Sequence, residues 1–354
     1  FLDIARCGFS SFLQGTQAMG KGVTQSICLG PETLWRFKQA GVTSLDPAPY
    51  LPAGSAAIPR HFLLWPEEEA ALPVVLTSNR DEAVATEVRI AAAEGLRVEP
   101  EARNAQLTDK GHDERLLFPI RSTEPLQPGK ARHLTVKWRI EDLTGEQSVE
   151  VIRPEPITVG TKVGLIASGD DYLGPALDEL GVEYERLSSL DETGGYRVLL
   201  LGTQAHSINT LGLLDGYWRL FPWVRAGGTL FCSQLNDTGW ERFFLPYEVI
   251  VQELDGETGA IANPGHPIFT QPRKITDVSG VKMYDTLRVI PDDPWSVLLR
   301  DAEGTPAIIE GSFGKGKVIV MQPSFERVVT GAEKAPDAAE AQALFESILA
   351  YVTR

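Results

Sequence analysis

The sequence predicts a multidomain chain of β and α/β parts: an antiparallel β-sandwich of immunoglobulin-like type, followed by a doubly wound α/β domain. Three observations predict it. At 354 residues the chain is longer than one hydrophobic core ordinarily serves. Between 73 and 153, short runs alternate apolar and polar residues with period two. After 160 the rhythm changes to continuous apolar strands separated by stretches of helical period.

Residues 1–70 give the weakest signal. "TLWRFKQAGV" (34–43) reads as a short helix, and "DPAPYLPAG" (46–54), with three prolines in nine residues, as an extended linker. Residues 71–156 are assigned to the sandwich. Its strands are "PVVLTSN", "VATEVRI", "EGLRVEP", "ERLLFPIR", "RHLTVKWRI" and "QSVEVIR". Leu134, Val136, Trp138 and Ile140 show the alternation, and Glu94-Gly95, Pro128-Gly129 and Thr144-Gly145 supply turns. The Cys…Trp…Cys pattern of antibody domains is absent.

"RPEPITVG" (153–160) is a proline-stiffened linker, and residues 157–354 are assigned to the α/β domain. "KVGLIAS" is a strand buried on both faces. A helix follows with Leu173, Ala176, Leu177 and Leu180 on one face, capped by Asp170 or Asp171 and ended by Gly181. "VEYERLSS", "YRVLLLG" and "TLFCSQ" are further strands, with a helix through Leu211, Leu214, Trp218 and Phe221 before the last. "EVIVQEL", "PAIIEGSFGKGKVIVMQP" and a last helix near Pro336 complete the chain. "GSFGKG" resembles a phosphate loop but leads into a strand, so it reads as a hairpin turn.

Composition narrows the function. The formal net charge is −15 and no basic run occurs, which argues against a nucleic-acid or anionic-membrane partner. Cys7, Cys28 and Cys232 are too few and scattered for a disulfide scaffold or zinc site, and no cofactor motif is present. No apolar run approaches the roughly 20 residues of a transmembrane helix. The start at Phe1, without a basic flank, reads as a processed or cropped terminus. A bacterial cytoplasmic location and a secreted or periplasmic one both stay open.

The stretches "VGLIASGDDYLGPALDELGVEYERL", "LFPWVRAGGTLFCSQLND", "NPGHPIFTQPRKIT" and "IIEGSFGKGKVIVMQPSF" resemble the class I glutamine amidotransferase-like domains, in their degenerate form. Such domains occur in the C-terminal regions of large bacterial LmbE-like (N-acetylglucosaminyl deacetylase-like) proteins and in β-galactosidase trimerisation domains. The resemblance covers about half the chain. It implies a flavodoxin-like fold and a bacterial carbohydrate setting. It also implies a nucleophilic cysteine on a tight G-x-C-x-G elbow, with an H-P-E motif supplying the base and its orienting carboxylate.

Cys232 occupies the nucleophile's place, but Leu230 and Gln234 stand where the elbow has glycines. Gln322 and Ser324 stand where the His and Glu would be, and an amide cannot accept a thiol proton at neutral pH. His206, at the end of an apolar strand, and His266, on a proline-rich loop, are the imidazoles that remain as substitutes. Cys232 therefore reads as a vestigial thiol. Asp170, Asp171, Asn236 and Asp237 fall at strand ends, either as a ligand-binding group or as helix caps in a solvated loop. Trp240 heads an aromatic stretch that can stack on a sugar, fill a subunit interface or pack a long loop.

The expectation is an accessory region of a glycan- or glycoconjugate-processing hydrolase, acting in docking, oligomerisation or substrate presentation. Its catalytic domain would lie upstream or on a partner subunit, and the region itself could be a homo-oligomer. Two rivals are a cysteine-dependent hydrolase or amidase using Cys232 and a carbohydrate-binding module using Trp240.

Overall fold

A computed structural model describes residues 53–353, apart from 67, 168–170, 204, 206–208 and 236–241. The chain divides into two compact units between Pro154 and Glu155. The predicted helix at 34–43, Cys7 and Cys28 lie outside the described residues.

The first unit holds nine strands: β1 (Gly54–Ala57), β2 (His61–Leu63), β3 (Ala70–Ser78), β4 (Val84–Ala92), β5 (Leu96–Val98), β6 (Ala102–Leu107), β7 (Asp113–Ser122), β8 (Ala131–Ile140) and β9 (Leu143–Ile152). They form two sheets, in the orders β1-β3-β7-β5 and β2-β9-β8-β4-β6. Period-two alternation sends one face of each sheet into a shared core of Leu72, Val74, Val88, Phe118, Val136 and Val149. The result is a β-sandwich. Its strands begin at Gly54, ahead of 71, because the small residues of β1 pair along β3 and β2 adds in parallel to β9.

The second unit is built on one nine-stranded sheet of β10 (Lys162–Ile166), β11 (Glu185–Arg186), β12 (Tyr196–Leu201), β13 (Thr229–Ser233), β14 (Val249–Ile261), β15 (Lys282–Val289), β16 (Trp295–Asp301), β17 (Pro306–Phe313) and β18 (Gly316–Met321). Their order is β11-β10-β12-β13-β18-β17-β16-β14-β15. The first five in that order pair in parallel. From β18 onward every pairing is antiparallel, so β14, β15, β16 and β17 extend the sheet as hairpins and returns.

The expected flavodoxin-like doubly wound α/β domain is therefore not what the chain forms. The described residues are 44% strand and only 19% helix, mostly β in large sheets. A doubly wound fold needs a helical crossover between successive strands, whereas β17 and β18 are joined by the tight turn at Gly314. The helices are mostly short: α1 (Leu173–Glu179), α2 (Leu213–Gly216), α3 (Leu220–Ala226), α4 (Pro267–Thr270), α5 (Phe325–Val329) and the longer α6 (Ala338–Thr353). The helix expected through Leu211 to Phe221 is broken into 3-10 and α pieces, with Leu211 itself at φ 55°.

Both faces of the large sheet are covered. Leu200, Phe231 and Ile319 face a cluster with Phe325, Phe345 and Ile348. Their strand neighbours Leu199, Leu201, Leu230, Cys232, Val318 and Val320 face a second cluster with Tyr217, Trp223 and Phe244. Among the described residues no helix is long and apolar enough to cross a membrane.

Candidate functional site

The parallel half of the sheet ends its strands β10, β12, β13 and β18 on one side, and the chain beyond each end carries polar side chains. Such carboxyl ends are where open sheets of this kind gather ligands. The described residues there are Asp171, Thr203, Ser233, Gln234, Gln322, Ser324 and Glu326.

Cys232 is the last apolar side chain of β13. It lies in an unbroken ladder, opposite Leu201 on one side and Val320 on the other. It is fully buried and unbridged, and desolvation pushes its thiol far above the usual range. The left-handed bend comes two residues later, at Gln234 with φ 47°. The elbow that would expose a nucleophile thus falls on an amide rather than on the sulfur.

The residues standing in for the base and its partner are fully engaged in structure. Gln322 accepts from the Leu235 amide at 2.8 Å and donates to the carbonyls of Leu235 at 2.7 Å and Asp285 at 3.2 Å. Ser324 bonds the Lys282 carbonyl at 3.0 Å and the carboxylate of Glu333. His266 caps α4, its Nδ1 accepting from Ile268, while Nε2 lies 3.5 Å from Glu310 Oε1. Its ring packs against Tyr351 at 4.9 Å between centroids. The α4 residues Ile268 and Phe269 belong to the cluster on the other face of the sheet from Cys232. The structure therefore does not bring His266 and Cys232 together. His206, Asp170, Asn236, Asp237 and Trp240 lie outside the described residues.

Asp171 is buried, and its Oδ1 accepts from the Leu173 amide at 2.6 Å, the first amide of α1, while the N-cap position itself is Tyr172, whose side chain makes no capping bond. Gly202 lies against its carboxylate so closely that any Cβ there would collide with it.

The residue missed in the sequence is Glu326. It sits in the first turn of α5 and has no exposed surface. Its Oε1 accepts from Ser233 Oγ at 3.1 Å, from Thr203 Oγ1 at 3.3 Å and from Gln234 Nε2. Its Oε2 is buried and has no hydrogen-bond partner among the described residues. Burial, with the nearby Asp171 charge adding to it, raises this carboxyl to about 7. One acid thus gathers the ends of three neighbouring strands. The local string "QPSFERVV" places a carboxylate shortly after an apolar strand but does not mark it as buried. Among the described residues no group of three or more His, Cys, Asp or Glu could hold a metal ion.

No family model and no curated protein matches the chain. Among solved structures it is similar to the exo-β-1,4-mannosidase Op5Man5 from Opitutaceae bacterium strain TAV5, at 16% identity over 53% of this chain and 36% of that one, with a TM-score of 0.35. It is also similar to the E. coli chaperone DraB, at 12% identity over 30% of this chain and 57% of that one, with a TM-score of 0.22. A third is WR4, a C. elegans MSP family member, at 18% identity over 28% of this chain and 97% of that one, with a TM-score of 0.20. The chain thus spans well under two thirds of the mannosidase and of DraB. Scores this low carry no conclusion about fold or function.

Proposed function

We propose that this chain is a non-catalytic accessory region of a glycan- or glycoconjugate-processing hydrolase, serving docking, oligomerisation or substrate presentation. The observation that carries the non-catalytic part is the setting of Cys232: no exposed surface, apolar neighbours on both flanking strands and no imidazole at hand among the described residues. A thiol needs a base or a positive environment to become a nucleophile, and here its only perturbation is desolvation, which opposes ionisation. The glycan setting rests on the resemblance of "LFPWVRAGGTLFCSQLND" and its companions to regions that accompany carbohydrate-active domains.

Two measurements on the purified chain test this. Iodoacetamide at pH 7.5, read by peptide mapping, is expected to label Cys232 only after denaturation. Aryl glycosides and N-acetylated amino sugars are expected to pass through unchanged. Rapid labelling of native Cys232, or turnover that disappears in Cys232→Ser, overturns the proposal.

A further inference from the structure

Strand β6 is the last of its sheet and pairs with β4 alone. The phase of the ladder shows which of its backbone groups are used. The Ile90 N–H bonds the Glu101 carbonyl at 2.8 Å, and the Glu141 N–H bonds the Ala85 carbonyl at 3.2 Å. Even-numbered residues of β4 therefore bond toward β6, and odd-numbered ones toward β8. On β6 the residues that bond β4 are Arg103, Ala105 and Leu107. The N–H and C=O groups of Ala102, Asn104 and Gln106 point away from the sheet.

This open stretch is bounded at both ends. Pro100 has no N–H, and the Thr108 N–H is given to His112 Nδ1 at 2.9 Å. The side chains of Ala102, Asn104 and Gln106 are exposed and uncharged. Arg103, the only charge on the strand, turns its guanidinium over the ring of Phe118 in β7, at 5.7 Å. Sheet edges ordinarily discourage pairing by a Lys, a Pro, a bulge or extreme shortness, and β6 has none of these. The other edges among the described residues are shorter or partly closed. Strands β1, β2, β5 and β11 have four residues or fewer. In β15 the Lys282 carbonyl takes the Ser324 N–H and the Asp285 carbonyl takes Gln322 Nε2.

We propose that β6 pairs antiparallel with β6 of a second copy of this chain, centred on Asn104. Ala102 then meets Gln106 of the second copy, Asn104 meets Asn104, and every open N–H and C=O finds a partner. Moving the register one step either way brings in Pro100 or Thr108, neither of which can donate, so only the centred register is complete. A second copy is the occupant that fits because a two-fold axis maps each open donor onto an open acceptor of the same bounded stretch. Arg103 faces the small Ala105 across the junction, so no like charges meet between 102 and 106. So short an edge buries less than the roughly 1,200 Å² of stable complexes, which makes the dimer a weak one, with a dissociation constant of roughly 10–100 μM. The net charge of −15 on each chain opposes it, most strongly at low salt. The pairing deepens the oligomerisation arm of the proposed role, on which it rests. Cys232 labelling and turnover do not depend on it, so the two readings can fail separately.

The test is sedimentation velocity on the full chain from about 1 to about 500 μM, at about 0.05 and about 0.5 M NaCl. The sedimentation coefficient of the wild type is expected to rise with concentration, and more steeply in high salt. Asn104→Pro removes the central donor without touching the ladder to β4, and Asn104→Lys sets like charges face to face at the two-fold axis. Each is expected to weaken the dimer roughly tenfold or more. Ser148→Lys, exposed on β9 of the same sheet, is expected to leave it unchanged. Hydrogen exchange supplies the local readout: the amides of Ala102, Asn104 and Gln106 exchange more slowly as the wild-type concentration rises. A wild type that stays monomeric at the highest concentration in high salt, a dimer that survives both Asn104 variants, or an equal loss in Ser148→Lys overturns the proposal. So does a monomer whose three amides are protected at every concentration, because another segment of the same chain would then cover the edge. Should Asn104→Pro fail to fold, Asn104→Lys decides, since it changes only an exposed side chain.

Discussion

A sulfur at the end of a parallel strand can be read two ways, and the response to substitution separates them. At Cys232 the side chain is packed among Leu201, Leu230 and Val320 in an apolar cluster. Replacement by Ala removes one atom from such a cluster and is expected to cost about 1 kcal/mol. Replacement by Ser buries a hydroxyl in the same apolar cluster and is expected to cost about 1–3 kcal/mol. Denaturant melts should therefore rank Ser below Ala. A nucleophile on a polar, exposed elbow would give the opposite order, since Ser is the nearer isostere. The place of Cys232 at the end of a strand was legible from "GGTLFCSQLND", and the string shows Gln322 and Ser324 where the resemblance puts a base and its partner. Glu326 was not legible. A Glu beside Arg327 in a helical first turn ordinarily reads as a solvated pair. Its burial arises only when segments around 171, 203, 233 and 326 close on one another, and nothing local records that closure.

Turn chemistry made the β17–β18 hairpin the most legible element of the second unit. Phe313 pairs with Gly316 across a two-residue loop, and Gly314 takes φ 63°. Gly316 has a further duty, since a Cβ there would collide with the backbone carbonyls of Val224 and Gly228. Gly316→Ala is expected to destabilise the unit by at least roughly 1–3 kcal/mol, because backbone cannot yield as a flexible side chain can. Gly195→Ala, at a site with open space and ordinary φ, is expected to stay within about 0.5 kcal/mol and serves as the control in the same melts. The antiparallel half of the sheet was the least legible element. β14 runs through "VIVQELDGETGAI", whose Asp255-Gly256 pair carries a turn signal in mid-strand. There the register with β15 shifts, pairing with β15 resumes at Gly256 and Glu257, and from Thr258 the strand pairs with β16. A reading by local punctuation ends the strand at the irregularity, and so misses the stretch that carries it from β15 to β16.

Each core is drawn from one stretch of chain. The sandwich core runs from Ala53 to Val151, and the two clusters flanking the large sheet run from Leu165 to Val352. The sequence changes rhythm around "RPEPITVG", and alternation before it and continuous apolar runs after it imply different sheets. What the sequence could not convey is how the second sheet grows past β18, since strand order and direction are settled by non-local pairing. A unit with a complete core carries its own cooperativity. Residues 155–354 expressed alone are accordingly expected to unfold in one sigmoidal transition and to keep Cys232 closed to iodoacetamide, because the apolar cluster around that sulfur, among the described residues, lies wholly within this segment. Calorimetry and thiol labelling on the isolated segment check both points. A broad, low-enthalpy transition with a reactive Cys232 would mean that the core of the second unit needs residues before 155 to close, and the cluster assignment would be wrong.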